Sequence, residues 1–190
     1  MKLLFFRALI ISIGLLLLPA SQALAAKWQV DQGRSKLAFI YKEDGEPAFG
    51  KFEKFSGVGS FDASSPQKAK LDLTIDVRSI RLKDGLRSSL VKTETWFDAK
   101  NIPKARFQLK KLTPTKKAGV YRADGVLTIK NFSRRIRPVV TLAINKNTAR
   151  ARGKISFKRS QFRVGDPTIS LFVEVSDRIT VDFDIRARRR

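Results

Sequence analysis

Strict alternation of polar and apolar residues is the strongest pattern in this sequence. In segment 70–77, KLDLTIDV, every second residue is apolar: Leu71, Leu73, Ile75 and Val77. The same alternation returns in segment 179–185, ITVDFDI. Successive side chains of a β-strand point to opposite faces, so a period of two predicts strands with one buried and one solvated face. Such strands are typical of antiparallel sheets that are packed on one side only.

Shorter runs of the same kind predict further strands at residues 37–41, 57–61, 106–110, 120–129, 139–144 and 152–157. Clusters of Gly, Pro, Asn, Asp and Ser predict turns at 44–47, 64–66, 117–119, 145–147 and 165–167. Segment 84–91 alone predicts a helix, because Asp84 stands at its start and Leu86 and Leu90 are four residues apart. Many short strands without intervening helices favour an all-β antiparallel sandwich or barrel, with this helix capping one end of the sheet.

The N-terminal residues differ in kind from the rest of the chain. Lys2 and Arg7 precede an apolar run at 8–18, and the small-residue sequence ALA follows shortly after it. This pattern predicts a secretory signal peptide, residues 1–25, and one mature domain, residues 26–190. The apolar run falls short of the roughly 18 residues that span a bilayer, so an uncleaved anchor is the weaker alternative. We therefore expect export to the bacterial periplasm.

The chain contains neither Cys nor His. An exported protein without disulfides must be stabilised by core packing alone. The usual zinc ligands, the Cys nucleophile and the imidazole base of a catalytic triad are also missing. Carboxylate-only hydrolysis stays open in principle, but no spacing singles out a pair of carboxylates. We expect a protein that is not an enzyme and that holds no metal and no catalytic cofactor.

The net charge of +22 at pH 7 indicates anionic partners or a strongly solvated surface. Nucleic acid, lipopolysaccharide, anionic phospholipid head groups and a phosphorylated ligand all fit such a charge. Lys and Arg on solvated faces that merely raise solubility fit it equally well. Export argues against nucleic acid, so none is expected as a partner.

The order of motifs resembles the YceI family of exported, lipocalin-like bacterial proteins. The resemblance covers nearly the whole mature chain, and six segments in the right order carry it: Trp28-x-x-Asp31-x-x-x-Ser35-x-x-x-Phe39; Phe52-x-x-Phe55-Ser56-Gly57 with Phe61-Asp62; Ile75-Asp76-Val77-x-Ser79-Ile80; Trp96-Phe97-Asp98-Ala99 with Ile102-Pro103-x-Ala105-x-Phe107; Tyr121-x-Ala123-Asp124-Gly125-x-Leu127-Thr128-Ile129; and Arg159-x-x-Phe162-x-Val164-Gly165. Segment 131–138 departs from the family pattern by being more basic and by carrying the bulky Phe132. Segment 81–87 lacks the family's His.

The resemblance implies an eight-stranded antiparallel barrel with a short helical cap. It also implies that the interior takes a long isoprenoid, an isoprenoid quinone or another amphiphilic lipid. A barrel of about eight strands is just wide enough either to be filled by side chains or to hold one small ligand. Alternation alone leaves both possibilities open.

Alternation predicts which side chains face the interior and thereby the candidate ligand contacts. These are Phe39, Leu73, Ile75, Phe107, Leu109, Leu127, Ile129, Leu142, Ile144, Val181 and Phe183. Trp96 and Phe97 follow the predicted helix, where they would either gate a tunnel or plug the end of the barrel. Arg78, Arg81 and Arg87 surround the same region and are candidates for a phosphate head group, with solvated surface arginines as the alternative.

Two basic segments are candidates for contact with an anionic membrane surface. They are the segment 134–137, RRIR, and the terminal arginines 188–190, although a disordered basic tail is the alternative for the terminus. The leading hypothesis is a non-catalytic protein that carries or sequesters an isoprenoid-type lipid. The competing hypothesis is an exported polyanion-binding protein with a filled barrel core. A homodimer is compatible with either.

Overall fold

The computed structural model describes residues 25–165 and 174–190, so all of the predicted signal peptide except Ala25 lies outside the described residues. Twelve β-strands and one α-helix form in the described ranges: β1 (Ala26–Val30), β2 (Lys36–Glu43), β3 (Glu46–Phe52), β4 (Phe55–Phe61), β5 (Lys70–Asp76), β6 (Ile80–Arg81), α1 (Gly85–Leu90), β7 (Lys104–Pro114), β8 (Val120–Ile129), β9 (Phe132–Ile136), β10 (Val139–Asn145), β11 (Thr148–Lys158) and β12 (Arg178–Arg189). The described chain is thus almost entirely β-structure, as the alternation predicts.

Eight of these strands close into a barrel. Their order around the barrel is β1-β4-β5-β7-β8-β10-β11-β12, and β12 pairs with β1 to complete the ring. Every pairing is antiparallel, and the closing register sets Val30 opposite Ala187. Closure leaves the ring without free edges. The predicted eight-stranded antiparallel barrel with a short helix is confirmed.

The remaining four strands widen the wall beyond the ring. β2 pairs with residues 180–184 of β12, while β1 pairs with residues 187–189 of the same strand, so β1 and β2 share one edge of β12 end to end. β3 and β6 continue the sheet from β2. β9 pairs with β8 beside the stretch of β8 that pairs with β10.

The two ends of the barrel differ in their structure. At the end that we call the helix end, a 3₁₀ turn at Val77–Ser79 leads from β5 into β6 and α1. At the opposite end, which we call the loop end, lie the connection 62–69 and the hairpin loops 115–119 and 146–147, together with the C-terminal end of β12.

Helix α1 is short and is held by its N-cap. The Asp84 carboxylate accepts a hydrogen bond from the backbone N–H of Arg87 at 2.8 Å, and the Ser88 hydroxyl donates to the Asp84 carbonyl at 2.7 Å. An N-cap of this kind satisfies one of the four free N–H groups at a helix start. In residues 25–165 and 174–190, no helix has the length and hydropathy to cross a bilayer.

Candidate ligand-binding cavity

A cavity of about 1060 Å³ lies inside the barrel. It extends from Leu86 and Trp96 at the helix end to Ile144 and Ala187 at the loop end. This volume equals roughly 35 water molecules at the ~30 Å³ that each occupies in the liquid, and it lies at the upper end of the sizes typical of small-molecule sites. The barrel interior is hollow.

All of the side chains predicted to face the interior lie along this cavity, as do both aromatic residues predicted at its mouth. They are Phe39, Leu73, Ile75, Trp96, Phe97, Phe107, Leu109, Leu127, Ile129, Leu142, Ile144, Val181 and Phe183. Whether each contacts a ligand stays a prediction. Several side chains that the alternation did not single out also line the cavity: Trp28, Tyr41, Phe52, Phe61, Phe157, Phe162 and Arg159.

Side chains on the apolar cavity wall differ in how deeply they are buried. Phe107, Val181 and Phe183 point inward but remain only partly buried, because they border the cavity. Val77 and Ile80, which do not line the cavity, are almost completely buried. Protein interiors are normally close-packed, so a hollow core of this size forgoes packing energy that a bound apolar molecule would restore.

Polar side chains along the wall are few and lie mainly near its two ends. At the helix end they include Glu43, Arg87 and Arg159, and at the loop end Ser60 and Lys70. A polar group inside an apolar cavity without a partner costs free energy. The arrangement therefore suits a long apolar chain whose polar group lies near one end of the cavity.

Trp96 and Phe97 form part of the wall at the helix end. The Phe97 ring packs edge-on against Phe52 with 6.1 Å between ring centroids, and the Arg159 guanidinium lies 5.3 Å from the Trp96 ring centroid. Two side chains of α1 complete this end of the cavity while remaining open to solvent, Leu86 at 70 % and Leu90 at 51 % exposure.

Arg159 is the cavity residue whose role the sequence did not reveal. Its guanidinium donates hydrogen bonds to the carbonyl oxygens of Val164 at 2.8 Å, Gly165 at 2.9 Å, Val175 at 3.1 Å and Ser176 at 3.2 Å. Burial lowers the pKa of this guanidinium below its usual value. The residue therefore ties residues 164–165 to residues 175–176 beside the cavity. The motif Arg159-x-x-Phe162 was the available signal, but it gave no indication of these partners.

Of the three predicted head-group arginines, the structure places Arg87 alone beside the cavity. Its guanidinium donates to Glu43 at 2.6 Å and to Asp84 at 2.7 Å. Hydrogen bonds to these two carboxylates raise the pKa of Arg87. Burial and the neighbouring Glu43 raise the pKa of Tyr41, which lies on the same side of the barrel. Arg87 thus already has two anionic partners.

Arg78 and Arg81 do not line the cavity. Arg78 forms a two-pronged pair with Asp76, with both N···O distances 2.8 Å, and Arg81 pairs with Glu53 at 3.1 Å. Both side chains are half exposed or more. The structure does not bring the three arginines together around one phosphate-sized site.

The two basic segments predicted to meet a membrane are more ordered than the sequence indicated. In segment 134–137, which includes most of β9, Arg135 and Arg137 both pair with Asp124. At the C-terminus, β12 continues through Arg189, which lies opposite Trp28, so a disordered tail is the wrong description of residues 188–189. Asp124 lies on β8 and Trp28 on β1, and the sequence pattern does not show that these strands are the neighbours of β9 and β12.

The YceI-like domain model matches residues 28–187. The chain belongs to the YceI family. A UPF0312 protein of Photorhabdus laumondii is 30 % identical over 131 residues, covering 67 % of this chain and 65 % of that protein. A UPF0312 protein of Pseudomonas fluorescens is 28 % identical and covers 62 % of this chain and 59 % of its own length. The chain therefore spans less than two thirds of the length of these two relatives.

Two solved structures show the same fold. Burkholderia cenocepacia BcnA superimposes with a TM-score of 0.77 at 32 % identity and covers 83 % of this chain and 98 % of its own. A polyisoprenoid binding domain from Saccharophagus degradans, implicated in plant cell wall breakdown, superimposes with a TM-score of 0.69 at 13 % identity. It covers 88 % of this chain and its whole own length, and at that identity it shows the fold alone.

The segment in which this chain departs from the YceI pattern does not disturb the barrel. The additional Phe132 at the start of β9 packs against the core, and the Arg163 guanidinium lies 4.8 Å from the centroid of its ring. Of the basic residues that follow, Arg135 and Arg137 pair with Asp124 on the outer surface. The departure therefore adds basic side chains to the outer surface of β9, while Ile136 of the same segment contributes an apolar side chain to the cavity wall.

Proposed function

We propose that this protein holds an isoprenoid or a similarly amphiphilic lipid inside its barrel and carries or sequesters that lipid without chemical change. The observation that carries the proposal is the hollow interior, whose wall is almost entirely apolar along the length of the barrel. Burial of each methylene contributes about 0.8 kcal/mol, so a long hydrocarbon chain gains affinity with every unit that enters. An isoprenoid quinone and a polyprenyl phosphate are both of this class.

The family supports the ligand class. The Saccharophagus degradans domain of the same fold is described as polyisoprenoid binding. The predicted signal peptide supports a periplasmic location, where a water-insoluble lipid needs a protein to shield it between membranes. The absence of His and Cys supports a role without catalysis, because the common nucleophiles and bases that need those side chains are missing.

The competing proposal, a polyanion-binding protein, explains the charge but not the interior. A barrel that served only as a basic surface would be stabilised by filling its core. The cavity instead remains open over about 1060 Å³. The observations therefore favour the lipid.

A cavity-filling variant tests the proposal. Ala151 lies on β11 with its side chain on the cavity, whereas Ala143 lies on the neighbouring strand β10 and faces outward. The variants Ala151→Phe and Ala143→Phe add the same ring to opposite faces of the wall. Purified proteins are incubated with isoprenoid quinones of increasing chain length, and the retained lipid is quantified by native mass spectrometry.

We expect the wild type and Ala143→Phe to retain one equivalent of a long-chain quinone. Ala151→Phe should retain less of the longest chains while still accepting short ones, because the added ring shortens the available space. Equal retention by both variants would show that the lipid binds outside the barrel. A wild-type protein that takes up no chain of any length would refute the proposal.

A further inference from the structure

Positive charge is concentrated at the loop end of the barrel. Strand register places the loops 62–69, 115–119 and 146–147 and the terminal residues of β12 together at this end. They carry the cations that we call the cationic rim: Lys68, Lys116, Lys117, Lys146, Arg189 and Arg190. Asp62 is the one acidic side chain in these same segments.

The cationic rim is exposed, and its side chains form no ion pairs with the described residues. Each of its side chains is exposed, and none of them forms an ion pair within residues 25–165 and 174–190. Asp62 itself accepts hydrogen bonds from the Ser64 backbone and hydroxyl. The rim is therefore free to meet an external anionic surface.

The helix end has a different charge balance. Carboxylates there pair with Arg78, through Asp76, and with Arg87, through Glu43 and Asp84. Lys83, Lys100 and Lys104 at this end are exposed and form no ion pair within residues 25–165 and 174–190. Further acidic residues, including Glu94 and Asp98, lie in the loops beside α1. At the helix end, acidic residues therefore lie among the cations, whereas the loop-end segments contain Asp62 as their one acidic residue.

The cavity reaches the same end. Ser60, Lys70, Ala149 and Ala187 line it there, and Ile144 does so while 42 % exposed. An anionic bilayer attracts cationic side chains at its surface, and an apolar opening against that surface lets a lipid pass without crossing water. A soluble polyanion would use the charge but would have no use for an adjacent apolar cavity.

We propose that the cationic rim docks the barrel onto an anionic phospholipid bilayer, with the loop end of the cavity facing the membrane. This inference deepens the proposed function, and it rests on that function for the reason why a bilayer is the partner. The binding test itself measures no lipid uptake, so the two can fail separately.

The test compares two variants of equal net charge. Lys68→Gln/Lys116→Gln/Lys117→Gln removes three charges from the cationic rim, and Lys83→Gln/Lys100→Gln/Lys104→Gln removes three exposed charges from the helix end. Mature full-length proteins are sedimented with vesicles of phosphatidylglycerol and phosphatidylcholine, or of phosphatidylcholine alone, at 0.1 M salt. Each charge near an anionic surface is worth about fivefold in affinity.

We expect the wild type to bind the anionic vesicles and not the neutral ones. The rim variant should bind at least tenfold more weakly, while the helix-end variant changes by less than threefold. Equal losses in both variants would show a diffuse charge effect, and a larger loss in the helix-end variant would assign docking to the exposed leucines of α1. Binding of the wild type to heparin but not to anionic vesicles would make the partner a soluble polyanion. Each of these three results overturns the proposal.

Discussion

Replacement of Arg159 by Met should cost about 3–5 kcal/mol of unfolding free energy. The guanidinium donates four hydrogen bonds of 2.8–3.2 Å to backbone carbonyls and stacks over Trp96. A hydrogen bond to a charged group contributes roughly 1.5–3 kcal/mol, but the four share one side chain and do not add in full. Met retains much of the apolar stem, so the loss is chiefly that of the hydrogen bonds.

Arg163 offers a matched control four residues away. Its guanidinium lies over the Phe132 ring at 4.8 Å, and its side chain is exposed. A cation–π contact at an exposed site is worth about 0.5–1 kcal/mol, so Arg163→Met should cost no more than about 1 kcal/mol. Both substitutions remove one positive charge, so any effect of net charge cancels between them.

Urea unfolding followed by tryptophan fluorescence measures both values. Trp28 and Trp96 are the two reporters, and the Arg159 variant should also alter the native-state signal because Trp96 loses its cation. If both variants lowered the free energy of unfolding by the same small amount, the four hydrogen bonds from Arg159 to backbone carbonyls would contribute no measurable stability. The account of this end of the cavity would then be wrong.

Three further predictions concern pH, packing and capping. The unfolding free energy, measured by urea titration, should not change between about pH 6 and 8, because the chain has no His. It should fall below about pH 4, because the hydrogen bond from Arg150 lowers the pKa of Asp184 and protonation of Asp184 removes the stability that this pair contributes. A fall near pH 6 would contradict this prediction. Gly125→Ala should cost about 1–3 kcal/mol, since its Cβ would lie 2.4 Å from the Phe107 ring; an unchanged urea midpoint would refute the clash. Asp84→Ala should lower thermal stability by about 1 kcal/mol through loss of the α1 N-cap, and an unchanged melting temperature would show that the cap is dispensable.

Alternation predicted the strands in which one face alone is buried. β5 and β12 are read directly from segments 70–77 and 179–185 because polar residues occupy every outward position. β3, with the sequence EPAFGKF, was missed because Pro47 and Gly50 both have low strand propensity. Gly50 is required there by close packing, since a Cβ at that position would lie 2.2 Å from the Phe39 ring.

β1 and β9 escaped prediction for other reasons. β1 is only five residues long. In β9, three polar residues in succession at 133–135 break the alternation. As a consequence, the eight strands predicted from the sequence are not the eight strands of the ring. They include β2, which lies outside the ring, and they omit β1, which closes it. Closure depends on pairing between the two ends of the chain, which local patterns do not specify.

The cavity wall was more predictable than its polar groups. The parity of each strand fixes which side chains face inward, so Leu73, Phe107 and Leu127 could be assigned without knowledge of the pairing. Whether those side chains meet across the barrel depends on its diameter, which parity does not determine. Arg159 shows the limit for charged residues, because its partners lie at residues 164–165 and 175–176, which only the tertiary structure brings to its guanidinium.

Native mass spectrometry of the mature protein, purified without detergent and then extracted with organic solvent, tests the central claim most directly. The account predicts one equivalent of bound lipid per barrel and an isoprenoid or similar amphiphile in the extract. A protein that is reproducibly empty, and that also fails to take up added polyprenyl lipids, would contradict it.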